Sequence, residues 1–349
     1  MTLEEIKKTI QEPDEQAKAL CKKRWDSIAK PLHSLGKLED AFVKIAGITG
    51  SSQITLEKKA LVIMCADNGV VEEGVTQTGQ EVTAIVTENF MKKQATASLL
   101  CEAAGVDIVP VDIGVAVDTS VINRKIAYGT KNMTKGPAMS RAQAAEAIET
   151  GISIVEGLKE KGYQILATGE MGIGNTTTSS AVASVLMHLP VEEVTGRGAG
   201  LSSAGLDRKI RAIKRAIQVN QPDPRDPVDV LAKVGGLDLA GLTGVFLGGA
   251  ACGVPVVIDG FISAVAALCA VSLCSLAREY MLASHVSKEP AARQVLESLG
   301  LDAMLHCDMC LGEGTGAVML FPVLSMAQKV YNGMSTFQEI QVEEYQPLD

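Results

Sequence analysis

From residue 59 onward the chain repeats one pattern: a short continuous apolar run, then Gly, Asp or Asn, then a segment with helical periodicity. The runs Ala60–Cys65, Val106–Val111, Gln164–Ala167 and Pro255–Ile258 do not alternate apolar with polar residues, as strands covered by helices on both faces should not. Such strands alternating with helices predict an α/β fold with a doubly wound parallel sheet. Helical patterns occupy Gln80–Ala104, Ser140–Lys161, Thr176–Met187, Ala204–Gln218, Leu239–Ala251, Ile262–Ala283 and Glu289–Leu299. A last one, Gly316–Tyr331, contains Pro322, which predicts a kink or a helix start there.

Upstream the texture differs. Leu3, Ile6 and Ile10 share a helical face, Pro13 interrupts, and a second pattern runs from Glu15 through Trp25 to Ile28 before Lys30-Pro-Leu-His-Ser-Leu-Gly36 breaks it. No linker marks the change near residue 50. A chain of 349 residues suits one large core with a helical appendage, since single cores stop growing near roughly 250–300 residues. Hydrophobic residues make up 47% and aromatics 3%, so the core is built from Ala, Val, Ile, Leu and Met. The acidic tail Gln338–Asp349 is expected to be loosely held.

Several function classes are disfavoured. A net charge of −9 leaves no basic face for a nucleic acid. The apolar stretch around Phe261–Leu276 is shorter than the ~20 residues that span a bilayer and reads as a buried helix. The charged, amphipathic N-terminus lacks the apolar segment of a signal peptide, so a cytoplasmic location is expected. The eight cysteines sit mostly in apolar runs and read as reduced, buried thiols. His306-Cys-Asp-Met-Cys310 has no second Cys/His pair to complete a structural zinc site, so no metal is expected.

The strongest local signal is Ala167-Thr-Gly-Glu-Met-Gly-Ile-Gly-Asn-Thr-Thr-Thr178: a strand end, a Gly-rich turn, then hydroxyls at a helix start. Glycines let backbone N–H groups approach an anion, and the helix N-terminus adds partial positive charge. The order of Gly169, Gly172 and Gly174 matches neither a Walker A loop nor the dinucleotide fingerprint. A tight turn capped by Asn175 or Thr176 is the plain alternative, but Glu170 beside an anion cradle argues for chemistry. A second cluster, Thr195-Gly-Arg-Gly-Ala-Gly-Leu-Ser-Ser-Ala-Gly205, leads to Arg208 and Lys209. With Arg197 these are phosphate counter-charges or a solvated helix face.

Asp67 and Asp259 follow strands. Ligands of open α/β sheets bind at strand carboxyl ends, so both are expected to face the crevice with Glu170, or else to cap the following helices. In Leu311-Gly-Glu-Gly-Thr-Gly316 a single carboxylate stands between glycines. A general base needs a carboxylate that substrate can approach closely, which makes Glu313 the first candidate.

Together these stretches resemble the nicotinate-nucleotide:dimethylbenzimidazole phosphoribosyltransferases, which make the lower-ligand nucleotide of cobamides. The resemblance also covers Lys30-Pro31 with Ser34-Leu-Gly-Lys-Leu-Glu39, Ala66-Asp-Asn-Gly-Val-Val-Glu-Glu-Gly-Val75 with Gln80-Glu-Val-Thr83, Gly196-Arg-Gly198, Val257-Ile-Asp-Gly-Phe-Ile-Ser263, and Ser284-His285 with Ser287 and Glu289-Pro290. It implies a Rossmann-like sheet and a small helical domain built from both chain ends (1–50 with 316–349, around a catalytic domain 51–315). It also implies a dimer, either a homodimer or a heterodimer with a paralogue.

The resemblance further implies roles: Glu313 as general base and Glu170 as a second active-site carboxylate. Gly172, Gly174, Asn175, Thr176, Gly198, Lys209, Asp259 and Ser287 would surround the ribose phosphate of the donor, and Gln80, Met171 and Leu311 the acceptor ring. The substrates are nicotinate mononucleotide and an aromatic acceptor, with no cofactor. Where the family usually has other residues, this chain has Asn68, Gly79, Ser202-Ser203 and Leu32-His33, which leaves the acceptor open among benzimidazole, purine and phenol. Two other classes, a catalytically silent nucleotide-binding partner subunit and an NAD-dependent dehydrogenase, are the alternatives that turnover and cofactor binding would separate.

Overall fold

A computed structural model gives the fold and describes residues 2–346; Met1 and the last three residues of the acidic tail, 347–349, lie outside the described residues. The sheet comprises β1 (Lys59–Ala66), β2 (Asp107–Gly114), β3 (Ile122–Asn123), β4 (Ile165–Met171), β5 (Val256–Ile258) and β6 (Met281–Ala283). Every pairing is parallel and the order is β3-β2-β1-β4-β5-β6. The chain winds one way from β1 to β3 and the other way from β4 to β6, so the crevice opens at the carboxyl ends of β1 and β4.

All strands but the exposed β3 feed two cores. In β1, Ala60, Val62 and Met64 face one cluster of buried residues, and Leu61, Ile63 and Cys65 face the other. The first is closed by helices Arg141–Glu160, Leu237–Cys252 and Phe261–Leu273. Backbone meets backbone there: a Cβ on Gly151 would lie 2.8 Å from the Val245 nitrogen, which explains glycine inside helices despite its propensity cost. The second core joins the chain ends. Trp25, Phe42 and Tyr331 pack with ring centroids 4.9 to 5.7 Å apart, and Ile28 bridges Thr336. This aromatic cluster is continuous with the sheet face.

Four expectations needed correction. The pattern over Gln80–Ala104 is two helices, Glu81–Met91 and Thr96–Ala104, separated at Lys93, whose φ is +55°. The pattern over Ile262–Ala283 is a helix to Leu273, a 3-10 turn Ser275–Tyr280 and then β6, because a short buried strand and a buried helix are equally apolar. β4 runs on through Gly169, Glu170 and Met171, so the carboxylate stands on the strand and not in the turn. The last helix begins at Thr315 and continues through Pro322 to Gly333, which removes the helix start offered at the proline.

Candidate active site

Gly172-Ile173-Gly174 leaves the end of β4, and Gly174, with φ +94°, caps helix Asn175–Met187. Asn175 and Thr176 are therefore the first helical residues and not its caps. Both line a cavity of about 400 Å³, together with Glu170, Met171, Gly172, Gly174, Gly198, Asp259, Ser287, Leu311 and Glu313. The cavity thus gathers most of the residues singled out in the sequence.

Glu313 sits in three consecutive left-handed residues: Gly312 at φ +90°, Glu313 at +59° and Gly314 at +84°. Left-handed backbone costs a non-glycine residue roughly 1–2 kcal/mol, so the loop must be held. Asp259 holds it. Its Oδ2 accepts from the Gly314 N–H at 3.3 Å, and its Oδ1 accepts from Gly316 at 2.8 Å and Ala317 at 3.0 Å. The Glu313 N–H adds a 3.4 Å bond to Glu170 Oε1. Asp259 thus caps the helix that begins at Thr315, more than fifty residues away in sequence, and not the helix that follows its own strand.

The Glu313 carboxylate is half-buried, with Oε2 accepting from the Ala97 N–H at 3.4 Å. Burial raises its pKa above the ordinary value, the Ala97 N–H offsets part of that, and the Asp259 charge adds to it. Glu170 is shifted further, well above the ordinary value, by burial first and then by the charges of Asp238 and Asp259. The Asn175 side-chain amide donates to Glu170 Oε2.

At the other end stands Lys209, fully buried in helix Ser203–Asn220, which overturns the solvated-face reading for this residue. Its Nζ donates to Thr176 Oγ1 at 2.8 Å and to the Gly196 carbonyl at 3.1 Å, so it stands behind the cavity wall. Burial lowers its pKa to about 8, against the attraction of Glu289. Gly198, with φ +51°, has no room for a side chain: a Cβ would lie 2.9 Å from Thr176 Oγ1. Arg197 lines the cavity and donates to the Leu201 carbonyl and Ser203 Oγ. Arg208 is exposed and donates to the Gly74 carbonyl. Ser202, one of the departures from the family pattern, caps its helix, accepting from the Gly205 N–H at 3.1 Å.

Gln80 and Asp67 also fall outside the lining. Gln80 donates to the Asn68 carbonyl at 3.3 Å, and its neighbours Thr76–Thr78, Val82 and Val86 line the cavity instead. Asp67 is buried with Oδ2 accepting from the Ala116 N–H at 2.8 Å; it ties down the loop after β2. Sequence reasoning gave no role to the lining residues Phe261, Ile262 and Cys310; the first two are apolar, and Cys310 entered only as part of an incomplete zinc motif. It also gave no role to His285 and Glu289, although both stood in a quoted motif. Cys307 and Cys310 are exposed, unlike the buried thiols expected, and among the described residues no three of His, Cys, Asp and Glu could hold a metal ion.

Beneath Gly172 lies a buried pair. Asn68 Nδ2 donates to Asp238 Oδ2 at 3.4 Å, while Asn68 Oδ1 has no partner among the described residues. A Cβ on Gly172 would lie 2.8 Å from Asp238 Oδ2. Burial pushes the Asp238 carboxyl from 3.8 up to about 7. Between those values the folded state holds the proton more tightly than the unfolded chain, so this group's contribution to stability falls as pH rises and is flat above 7. Asp238→Asn is expected to remove that slope, its amide donating to Asn68 Oδ1. Urea unfolding should show the wild type losing up to about 2 kcal/mol more than the variant between about pH 5 and pH 7; equal losses would mean that Asp238 folds ionised.

No helix of the described residues is long and apolar enough to cross a membrane. A family described as phosphoribosyltransferase matches residues 10–342. The nicotinate-nucleotide–dimethylbenzimidazole phosphoribosyltransferase of Acetivibrio thermocellus is 50% identical over 349 residues, covering 99% of this chain and 98% of that protein. The enzyme of the same name from Ruminiclostridium cellulolyticum is 51% identical with both chains fully covered. The crystal structure of CobT from Thermus thermophilus superposes with a TM-score of 0.89 at 37% identity, covering 95% of this chain and all of that one. A doubly wound sheet, a left-handed Gly-Glu-Gly loop at its switch point and similarity over the whole length lead to one conclusion: this chain belongs to the nicotinate-nucleotide:dimethylbenzimidazole phosphoribosyltransferase family.

Proposed function

We propose that this enzyme transfers the 5-phosphoribosyl group of nicotinate mononucleotide to an aromatic base of the dimethylbenzimidazole type, a cobamide lower ligand, releasing nicotinate and an α-riboside 5'-phosphate. The observation that carries this reading is the pairing of a left-handed Glu313 loop with a buried Lys209 and Gly198 cradle across one cavity. The phosphate is held at the cradle, by the N-terminus of helix Asn175–Met187. The anomeric carbon then faces the two carboxylates, and the acceptor lies against Met171, Leu311, Val82 and Val86.

The pyridinium nitrogen of the donor already carries positive charge, so nicotinate leaves without an acid through an oxocarbenium-like state. The acceptor nitrogen attacks from the opposite face, inverting β to α, and Glu313 takes its N–H proton. The stronger upward shift of Glu170 divides the labour. Glu170 holds a proton under conditions where Glu313 is ionised, because neighbouring buried carboxyls do not all ionise together. A purified chain that converts nicotinate mononucleotide and dimethylbenzimidazole to a product of the α-riboside phosphate mass supports the reading; no such product with benzimidazoles, purines or phenols would end it.

The pH profile is a second test. A base works ionised, and Glu313 is shifted upward from 4.5, so kcat is expected to fall on the acid side at a pH above that value. A rate that stays flat down to the ordinary carboxylate range would contradict the assignment. We also take the active form to be a cytoplasmic homodimer. Ile85, Met91 and Leu99, each more than half exposed, lie on the two helices beside the acceptor end, and light scattering of the purified chain measures the state.

A further inference from the structure

Glu289 is a carboxylate at the end of the cavity where an anion is to be bound. It follows β6 on the segment that carries His285 and Ser287, and it lines the cavity with Thr176 and Gly198. Its Oε2 is buried without a hydrogen-bond partner among the described residues and lies against Gly196, where a Cβ would come 2.9 Å from the Glu289 Cδ. An ionised carboxylate here would face a phosphate dianion across a few ångströms of poorly solvated space, a repulsion that Lys209 and Arg197 would have to offset.

We propose that Glu289 binds the donor phosphate as a carboxylic acid. Its Oε2–H donates to a phosphate oxygen that the Lys209 ammonium and the Gly198 N–H also hold. The proton comes from solvent on donor binding and stays on Glu289; no bond of the donor is made or broken. The inference rests on the reading of this end as the phosphate site. Burial already raises the Glu289 pKa, against the pull of Lys209 and the Gly198 N–H, and an arriving phosphate raises it further. The titratable and charged groups around it are Lys209 from helix Ser203–Asn220, Arg197 from the preceding loop, and His285 and the exposed Lys288 from its own segment.

The test counts protons. Calorimetric titration with nicotinate mononucleotide, at about pH 7.5 in buffers of different ionisation heat, is run on the wild type and on Glu289→Gln. A phosphomonoester, with its second pKa about 6, is then already a dianion, and Lys209, whose pKa the Glu289 charge holds up, can only take up more protons in the variant, so any excess uptake by the wild type belongs to Glu289. The wild type is expected to take up more protons than the variant, by a difference approaching about one per donor bound. Gln keeps a donor at this position, so its Kd should stay within about threefold of wild type, whereas Glu289→Ala should weaken binding by about tenfold or more. Equal proton uptake, or much tighter binding by the Gln variant, would overturn the proposal. A wild type that does not bind the donor would instead overturn the reading of the phosphate site.

Discussion

Glu313→Gln is expected to lower turnover by about 10²–10⁴-fold, the range a positioned general base supplies, while the Kd for nicotinate mononucleotide stays within about threefold. Gln fits the same space, and its carbonyl oxygen can still accept from the Ala97 N–H that holds Glu313 Oε2. What it cannot do is take the acceptor's proton. The variant should therefore fold and bind as the wild type does and fail at the chemical step. Steady-state kinetics with donor titration measures both. A loss of less than about tenfold would show that solvent removes the proton and would move Glu313 to an electrostatic role.

The specificity of that result rests on the backbone. Gly312 and Gly314 flank Glu313 in the left-handed region, and neither position has room for a side chain: a Cβ on Gly314 would lie 3.0 Å from the Thr168 carbonyl. The loop is therefore fixed in one shape, closed below by Asp259 through three N–H groups and beside it by Glu170. A carboxylate so constrained meets a substrate atom with little reorganisation, which is where pre-organised sites gain their rate. The strain in the loop and the charge cluster beneath it belong to one arrangement.

Much of this was legible in the sequence. The continuous apolar runs gave β1, β2, β4 and β5, because strands buried on both faces leave no alternation to misread. β6 was hidden: Ser275–Tyr280, with Arg278 and Glu279, reads as one polar turn of a continuing helix, and the three residues Met281–Ala283 are too few to show a period. Glu313 and Glu170 stood out as carboxylates among glycines. The role of Asp259 as a remote cap was not legible, since its partners at 314–317 are neighbours only after β5 and the last helix have packed. Val82, Val86, Phe261 and Ile262 were missed for a different reason. An apolar wall for an aromatic acceptor looks like core until the cavity is seen.

Lys209 carries the other large expectation, because binding and stability should part company there. Its ammonium is fully buried, and burial lowers its pKa from 10.5 to about 8, so the folded state holds this charge at a cost. Met has similar volume and removes that cost, while the lost bonds to Thr176 Oγ1 and the Gly196 carbonyl work the other way. Lys209→Met should therefore unfold near the wild-type midpoint at neutral pH. Between pH 8 and 10.5 the unfolded wild type binds more protons than the folded one, so wild-type stability gains a rising component with pH that the variant lacks. Donor binding has no such offset. A charge-assisted bond to phosphate is worth about 1.5–3 kcal/mol, so kcat/KM for nicotinate mononucleotide should fall by about ten- to hundredfold through KM, with the saturated rate much less affected. If KM were unchanged and the thermal midpoint lowered instead, Lys209 would be a structural tie between the two Gly-rich loops, and the anion would have to be held without it, by backbone N–H groups and the other polar groups that line this end.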